Sequence, residues 1–201
     1  MGSLKMFCCN FKGLNCPNKR VACLDLLVRN NIDVAMFQET HLQRDDVNRL
    51  ENHLYKVCAS SSALNKTKGV IILIRKALQI SIIGKGGDED GRVAFLKCIY
   101  NERKVAFISI YAPNSYENVF FTQLNSILAQ LSEFELVIGS DMNAILDQKL
   151  DKSSKSRSNV QTTKALQHLL SDFNLMDVWR LHHPTAKEFT FFQIGTKLTQ
   201  G

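Results

Sequence analysis

Short, nearly continuous apolar runs limit what this sequence can build. "DVAMFQ" (33–38), "GVIILIR" (69–75), "GRVAFLKCIY" (91–100), "KVAFISIYA" (104–112) and "ELVIGS" (135–140) are rich in Val, Ile and Phe. They are bounded by Gly, Asn and charged residues, as strands are. "SLKMFCCN" (3–10), "ALQISIIG" (77–84) and "EFTFF" (188–192) read as further strands. "NKRVACLDLLVRNN" (18–31) places Val21, Leu24, Leu27 and Val28 at helical spacing. Helices are also predicted over 44–54, 115–134 and 159–175, the last with Asn159 at its N-cap. Strand–helix–strand units flank a hairpin-rich middle, which predicts two sheets packed face to face with helices outside. "GKGGDEDG" and "NER" are turns in that middle. No linker divides the 201 residues, so one domain over 1–201 is expected, with "DQKLDKSSKSRS" as a surface loop.

Several function classes drop out. No apolar run nears the roughly 18 residues of a membrane span, and the start lacks a secretory apolar core, so an intracellular protein, nuclear or cytoplasmic, is expected. The six cysteines (8, 9, 16, 23, 58 and 98) form no CxxC pair and no zinc spacing, and read as buried free thiols. Lys and Arg exceed Asp and Glu by 25 to 19, which permits a polyanionic partner without identifying one. The basic run 149–157 reads as a solvated loop.

Chemistry concentrates where the strands stop. The first ends at Asn10, the second in "FQETH" with Glu39 and His41, the fourth long run in "YAPN" with Tyr111 and Asn114, and the fifth in "GSDMN" with Asp141 and Asn143. Ligands of α/β sheets sit at the carboxyl ends of strands. Asn, Glu and Asp are hard oxygen ligands suited to Mg²⁺ or Mn²⁺. Singly, each residue has a structural explanation as a turn, cap or core residue. Four strand ends carrying the same class of group are harder to explain so. Gly139 reads as a bend after "LVI", and extended geometry beyond it would point Asp141 and Asn143 the same way.

The ordered set "NFKGLN" (10–15), "FQETHL" (37–42), "KGVIILI" (68–74), "IYAPN" (110–114), "IGSDMNAIL" (138–146), "LDKSS" (150–154), "MDVWR" (176–180) and "HPTAKEFTFF" (183–192) resembles the endonuclease/exonuclease/phosphatase superfamily. It is most similar to the apurinic-type endonuclease domain of non-LTR (LINE-type) retrotransposons, with exonuclease III more distant. The resemblance implies a four-layer α/β/β/α sandwich of two mixed sheets and Mg²⁺-dependent hydrolysis of DNA phosphodiesters, with Mn²⁺ able to substitute. It implies Glu39 and Asn10 at the metal, and Glu39, Asp141, Asn143 and Tyr111 as catalytic groups. Asn114, Lys152 and Thr190 match positions that touch the DNA backbone. A monomer without membrane contact is expected, with room for a reverse-transcriptase segment in a full-length polyprotein.

The sequence departs from the family pattern at three places. Cys9 replaces the aromatic residue before Asn10, and Ser140 replaces the Gly before Asp141. After Phe192, "QIGTKLTQG" carries neither the "SRID"-like strand nor the "SDH" motif that closes the family domain, and the five histidines lie elsewhere. The expectation is therefore a fold lacking its last strands, incomplete at the C-terminus and impaired in catalysis. Two alternatives stay open: a non-catalytic remnant that keeps the fold and weak DNA binding, and a phosphomonoesterase or phosphoinositide phosphatase of the same superfamily.

Overall fold

Strand pairing divides the apolar runs between two sheets. The computed structural model describes residues 3–146, 150 and 160–186, together with the backbone of 193–196. One sheet has the order β1-β2-β4-β3, from β1 (Met6–Asn10), β2 (Val34–Gln38), β4 (Val70–Arg75) and β3 (Tyr55–Ser61). The other has the order β5-β6-β7-β8-β10-β9, from β5 (Ser81–Gly87), β6 (Val93–Tyr100), β7 (Arg103–Tyr111), β8 (Glu135–Asp141), β10 (Gln193–Thr196) and β9 (Leu175–Asp177). Both are mixed: β1 and β2 run parallel, as do β7 and β8, and the remaining pairs are antiparallel.

Alternation explains why the central runs are apolar throughout. A strand covered on both faces must be apolar at every position. Val34 and Met36 of β2 enter the core between the sheets, and Ala35 and Phe37 face the helices. β4 behaves likewise, with Val70, Ile72 and Ile74 inward and Ile71 and Leu73 outward. Helix α1 (Pro17–Arg29) covers the first sheet through Cys23, Leu24 and Leu27. Pro17 suits its first turn, where no backbone N–H is needed. Helices α2 (Asn118–Ala129) and α3 (Val160–Asp172) cover the second sheet through Phe120, Phe121, Leu124, Leu128, Leu166 and Leu169. The layers are therefore α/β/β/α, as the sequence predicts.

Several details differ from the sequence reading. The helix expected over 44–54 is a 3-10 helix, Arg44–Leu50, and a strand follows it. Asn52 makes the break: its Oδ1 accepts the N–H groups of Leu54 and Tyr55 at 2.8 Å each. Such local side-chain bonding competes with helix propagation. β5 starts at Ser81 rather than 77, and a short helix α4 (Val178–His182) follows β9. The strand expected at 188–192 lies outside the described residues. All six cysteines are free, as read, but only Cys23, Cys58 and Cys98 are buried; Cys8 and Cys9 are partly exposed and Cys16 is exposed.

Gly139 is not a bend. It lies inside β8, opposite Ser109 of β7. A Cβ there would meet Met36 Cε at 2.8 Å, Cβ at 2.9 Å and Sδ at 3.0 Å. The glycine lets the two sheets approach just below the strand ends. Gly139→Val is expected to lower the unfolding free energy by about 1–3 kcal/mol, the usual cost of overpacking. Met36→Ala in the same chain should restore part of that loss. Urea denaturation measures both, and wild-type stability in Gly139→Val would refute this close contact.

Candidate active site

Side chains on the inter-sheet face occur at every second strand position. Along β1 this face carries Met6, Cys8 and Asn10; along β2 it carries Val34, Met36 and Gln38. In the second sheet it carries Tyr111 beside Asp141 in the parallel register. The parallel pairs end on the same side of the sandwich, so their last residues meet there. Asn10 Nδ2 donates to Glu39 Oε1 at 2.7 Å and to Asp141 Oδ2 at 2.7 Å. Asn10 Oδ1 accepts the Lys12 N–H at 2.9 Å, which orients the carboxamide. One side chain thus links carboxylates from two sheets.

Glu39 reaches this cluster against the alternation of its strand. An extended residue there would face the helices, as Phe37 does. Its φ of 48° is left-handed and redirects the chain. Neighbouring backbone holds the turn: Gly13 N–H donates to Glu39 O at 2.6 Å, Leu14 N–H to Thr40 O at 2.7 Å, and Thr40 N–H to Gly69 O at 3.0 Å. His41 Nε2 stands 3.8 Å from Glu39 Oε2. Gly13, at φ 94°, makes room for that ring, since a Cβ would come within 3.1 Å of Nδ1.

Asp141 Oδ1 accepts the Asn143 N–H at 3.1 Å, forming an Asx turn. Asn143 has a φ of 48°, so extended geometry ends there and the side chain does not simply follow Asp141. Its Nδ2 donates to Ala112 O at 2.9 Å, and the residue is exposed at the rim. The Tyr111 hydroxyl lies beside the Glu39 carboxylate. Burial, the neighbouring Glu39 carboxylate as acceptor and the charges of Glu39 and Asp141 push its phenol up to about 12, against a smaller opposing effect of Arg92. The Arg92 guanidinium lies 5.6 Å from the Tyr111 ring centre, and Nη1 donates to Tyr111 O at 3.3 Å.

The structure therefore brings together Asn10, Glu39, Tyr111 and Asp141, with Asn143 at the edge. Asn114 is exposed and takes no part in the cluster's hydrogen bonds. Lys152 and Thr190 lie outside the described residues. Sequence reasoning named His41 at a strand end without assigning it a role and passed over Gln38 and Arg92; all three adjoin the cluster. Arg92 opens a strand rather than closing one, so a search of strand ends misses it.

The donor set fits a hard cation. Among the described residues neither Glu39 nor Asp141 forms an ion pair with Lys or Arg. Among them, too, no three His, Cys, Asp or Glu side chains gather closely enough to make a metal cage. One or two carboxylates with room for water suit Mg²⁺ or Mn²⁺, whereas structural zinc requires a closed set of N and S ligands.

Tyr111 gives a direct check on this electrostatic picture. Its folded-state pKa lies above the ordinary value of 10.0, near 12. The stabilisation linked to that shift is fully present below pH 10 and is lost as pH rises through about 12. NMR titration should find Tyr111 ionising near pH 12. Glu39→Gln should lower that value yet leave it above 10, because burial is the largest cause. An unchanged value in Glu39→Gln would contradict the Tyr111–Glu39 contact.

No family model matches the chain. A curated relative, the Transposon TX1 uncharacterized 149 kDa protein of Xenopus laevis, is 26% identical over 189 residues. The match covers 92% of this chain and 14% of the relative, so the chain spans a small part of that protein's length. Among solved structures, the endonuclease domain of TRAS1, a telomere-specific non-LTR retrotransposon, matches with TM-score 0.66 and 11% identity over 97% of this chain and 86% of that one. The Xenopus laevis APE2 catalytic domain gives 0.73 and 15% over 96% and 81%. An AP endonuclease from Archaeoglobus fulgidus gives 0.70 and 18% over 96% and 87%. With strand order and layers already described, these matches show that the chain has the endonuclease/exonuclease/phosphatase fold.

Proposed function

We propose that this chain is a metal-dependent phosphodiesterase that nicks DNA, of the kind found in non-LTR retrotransposons. The observation that carries the reading is the single carboxamide of Asn10 holding Glu39 and Asp141, from opposite sheets, beside the Tyr111 hydroxyl. Mg²⁺ or Mn²⁺ held by Glu39, with Asn10 beside it fixing that carboxylate, would supply Lewis acidity at a phosphate oxygen. Asp141, fixed through Oδ1 by the Asn143 N–H, orients the attacking water and accepts its proton. Tyr111 stays protonated at neutral pH, so its hydroxyl can donate to the phosphoryl group as negative charge builds. Asn143 spends one amide hydrogen on Ala112 O and keeps a second for the same purpose. Water's oxygen bonds to phosphorus as a phosphorus–oxygen bond to the sugar breaks.

Asn114, Lys152 and Thr190 serve in this reading as backbone contacts, which position DNA without reading its sequence. The excess of basic residues supports a polyanionic substrate. The TX1 and TRAS1 names support the mobile-element branch, and the 14% of TX1 that is matched supports a place in a longer polyprotein, where this reading sets a reverse-transcriptase segment. No helix among the described residues is long and apolar enough to cross a membrane.

The test is nicking of supercoiled plasmid with Mg²⁺ or Mn²⁺. Glu39→Gln and Asp141→Asn should each lower the rate by about two to three orders of magnitude, the usual cost of losing one group that stabilises the transition state. Mn²⁺ binding by calorimetry should disappear in Glu39→Ala. DNA affinity by fluorescence anisotropy should fall steeply with salt. Salt-sensitive binding with no nicking would return the reading to a non-catalytic remnant. Nicking at the wild-type rate by Asp141→Asn would overturn the assignment of roles.

A further inference from the structure

We infer that Gln38 is a positioning residue that sets the spacing between the two halves of the site and acts through Glu39. The inference rests on the proposed phosphodiesterase reading for its catalytic consequence, though not for its geometry. Gln38 is fully buried, and it is polar where Val34 and Met36, on the same face of β2, are apolar. Its Nε2 crosses the sandwich to Ser109 Oγ at 2.9 Å and to Gly139 O at 3.2 Å, and also lies 3.3 Å from Met36 O. Ser109 Oγ returns the link by donating to Phe37 O at 3.0 Å. Cys8 Sγ donates to Gln38 Oε1 at 3.4 Å. Strands β1, β2, β7 and β8 are thus joined at one level by buried hydrogen bonds.

That level lies directly beneath the site. Ser109 is two residues before Tyr111, Gly139 two before Asp141, Cys8 two before Asn10, and Gln38 immediately precedes Glu39. Residues two apart on a strand share a face and stand about 6.5–7 Å apart along it. The apolar seam between the sheets is non-directional, so small slides cost it little. Hydrogen bonds near 2.9 Å weaken steeply with misalignment. Sliding or spreading of the sheets would leave Gln38 and Ser109 unpaired in the core, where unmet polar groups are costly. A Met or Leu would fill the space as well without fixing the register. Gln38 therefore does for the sheets, one pleat down, what Asn10 does for the two carboxylates.

The test compares wild type with Gln38→Met, which keeps the volume and removes the donor. The first readout needs neither metal nor activity: hydrogen exchange of the Asn10 carboxamide, followed by ¹⁵N NMR. Its two hydrogens bond Glu39 and Asp141 only when the sheets are correctly spaced. Exchange should be about tenfold or more faster in Gln38→Met, Mn²⁺ affinity about 10–100-fold weaker, and nicking slowed in kcat with KM little changed, as for groups that orient a ligand. A folded Gln38→Met with unchanged Asn10 exchange overturns the inference, as does unchanged Mn²⁺ affinity in a chain whose wild type binds it. If Gln38→Met fails to fold, Ser109→Ala removes one acceptor and is read the same way. If the wild type neither binds Mn²⁺ nor nicks, the phosphodiesterase reading fails, and the exchange experiment still decides the positioning role.

Discussion

The Asn10 carboxamide gives one hydrogen to Glu39 and the other to Asp141, and those carboxylates belong to different sheets. The interaction has a definite cost to offset. Oxygens bonded to one nitrogen stand roughly 4–5 Å apart, and two unit charges at that distance repel by about 3–4 kcal/mol at an effective dielectric of ~20. Hydrogen bonds to charged groups each contribute about 1.5–3 kcal/mol, so the two from Asn10 are of the size needed to balance the repulsion. Tyr111 senses both carboxylates, and among the described residues no Lys or Arg pairs with either. Such a centre offers two carboxylates to the cation proposed above.

Holding that centre requires two sheets at a fixed distance, and the packing below it supplies this. Gly139 lets Met36 approach, and Gln38 ties β2 to β7 and β8. The apolar residues between the sheets bring them together, with each fully buried Ile or Val contributing about 1.5–3 kcal/mol. That burial is indifferent to register. Polar bonds at one level and a missing side chain at another convert general adhesion into a particular alignment. Stability and precision thus come from different residues on the same face.

Much of this was readable from residues alone, and the failures have physical causes. β2 and β4 were legible because strands covered on both faces are apolar at every position. Helix α1 was legible through Leu24 and Leu27 at helical spacing. β3, "YKVCASS", was missed because a bulge between Val57 and Ala59 breaks its alternation. The run 69–112 gave four strands in series but not their division: β4 pairs with β2 and β3, while β5, β6 and β7 form a meander in the other sheet. At the site, Asn10, Glu39, Tyr111 and Asp141 stood out because each ends a strand. Gln38 did not, because its partners Ser109 and Gly139 lie 71 and 101 residues away, and a buried amide in a strand looks like any other until they are known.

The residues proposed to perform chemistry lie where the regular backbone stops. Lys12, Glu39, His41 and Asn143 all have positive φ, and all lie in loops that leave the strands at this end of the sandwich. Asn tolerates that conformation well, but Glu and His adopt it at a cost of order 1–3 kcal/mol each. A strand alone could not do the work of these turns. Strict alternation would send Glu39 toward α1 with Phe37, and only a reversal after Gln38 brings its carboxylate back between the sheets. The strain is held by bonds that extend the β1–β2 pairing past its end, from Phe11, Gly13 and Leu14 to Gln38, Glu39 and Thr40. A buried amide therefore fixes the last regular residue, a left-handed one turns the carboxylate inward, and a ladder of backbone bonds keeps it there. The cluster owes its geometry to that order of events along three consecutive residues, 38 to 40.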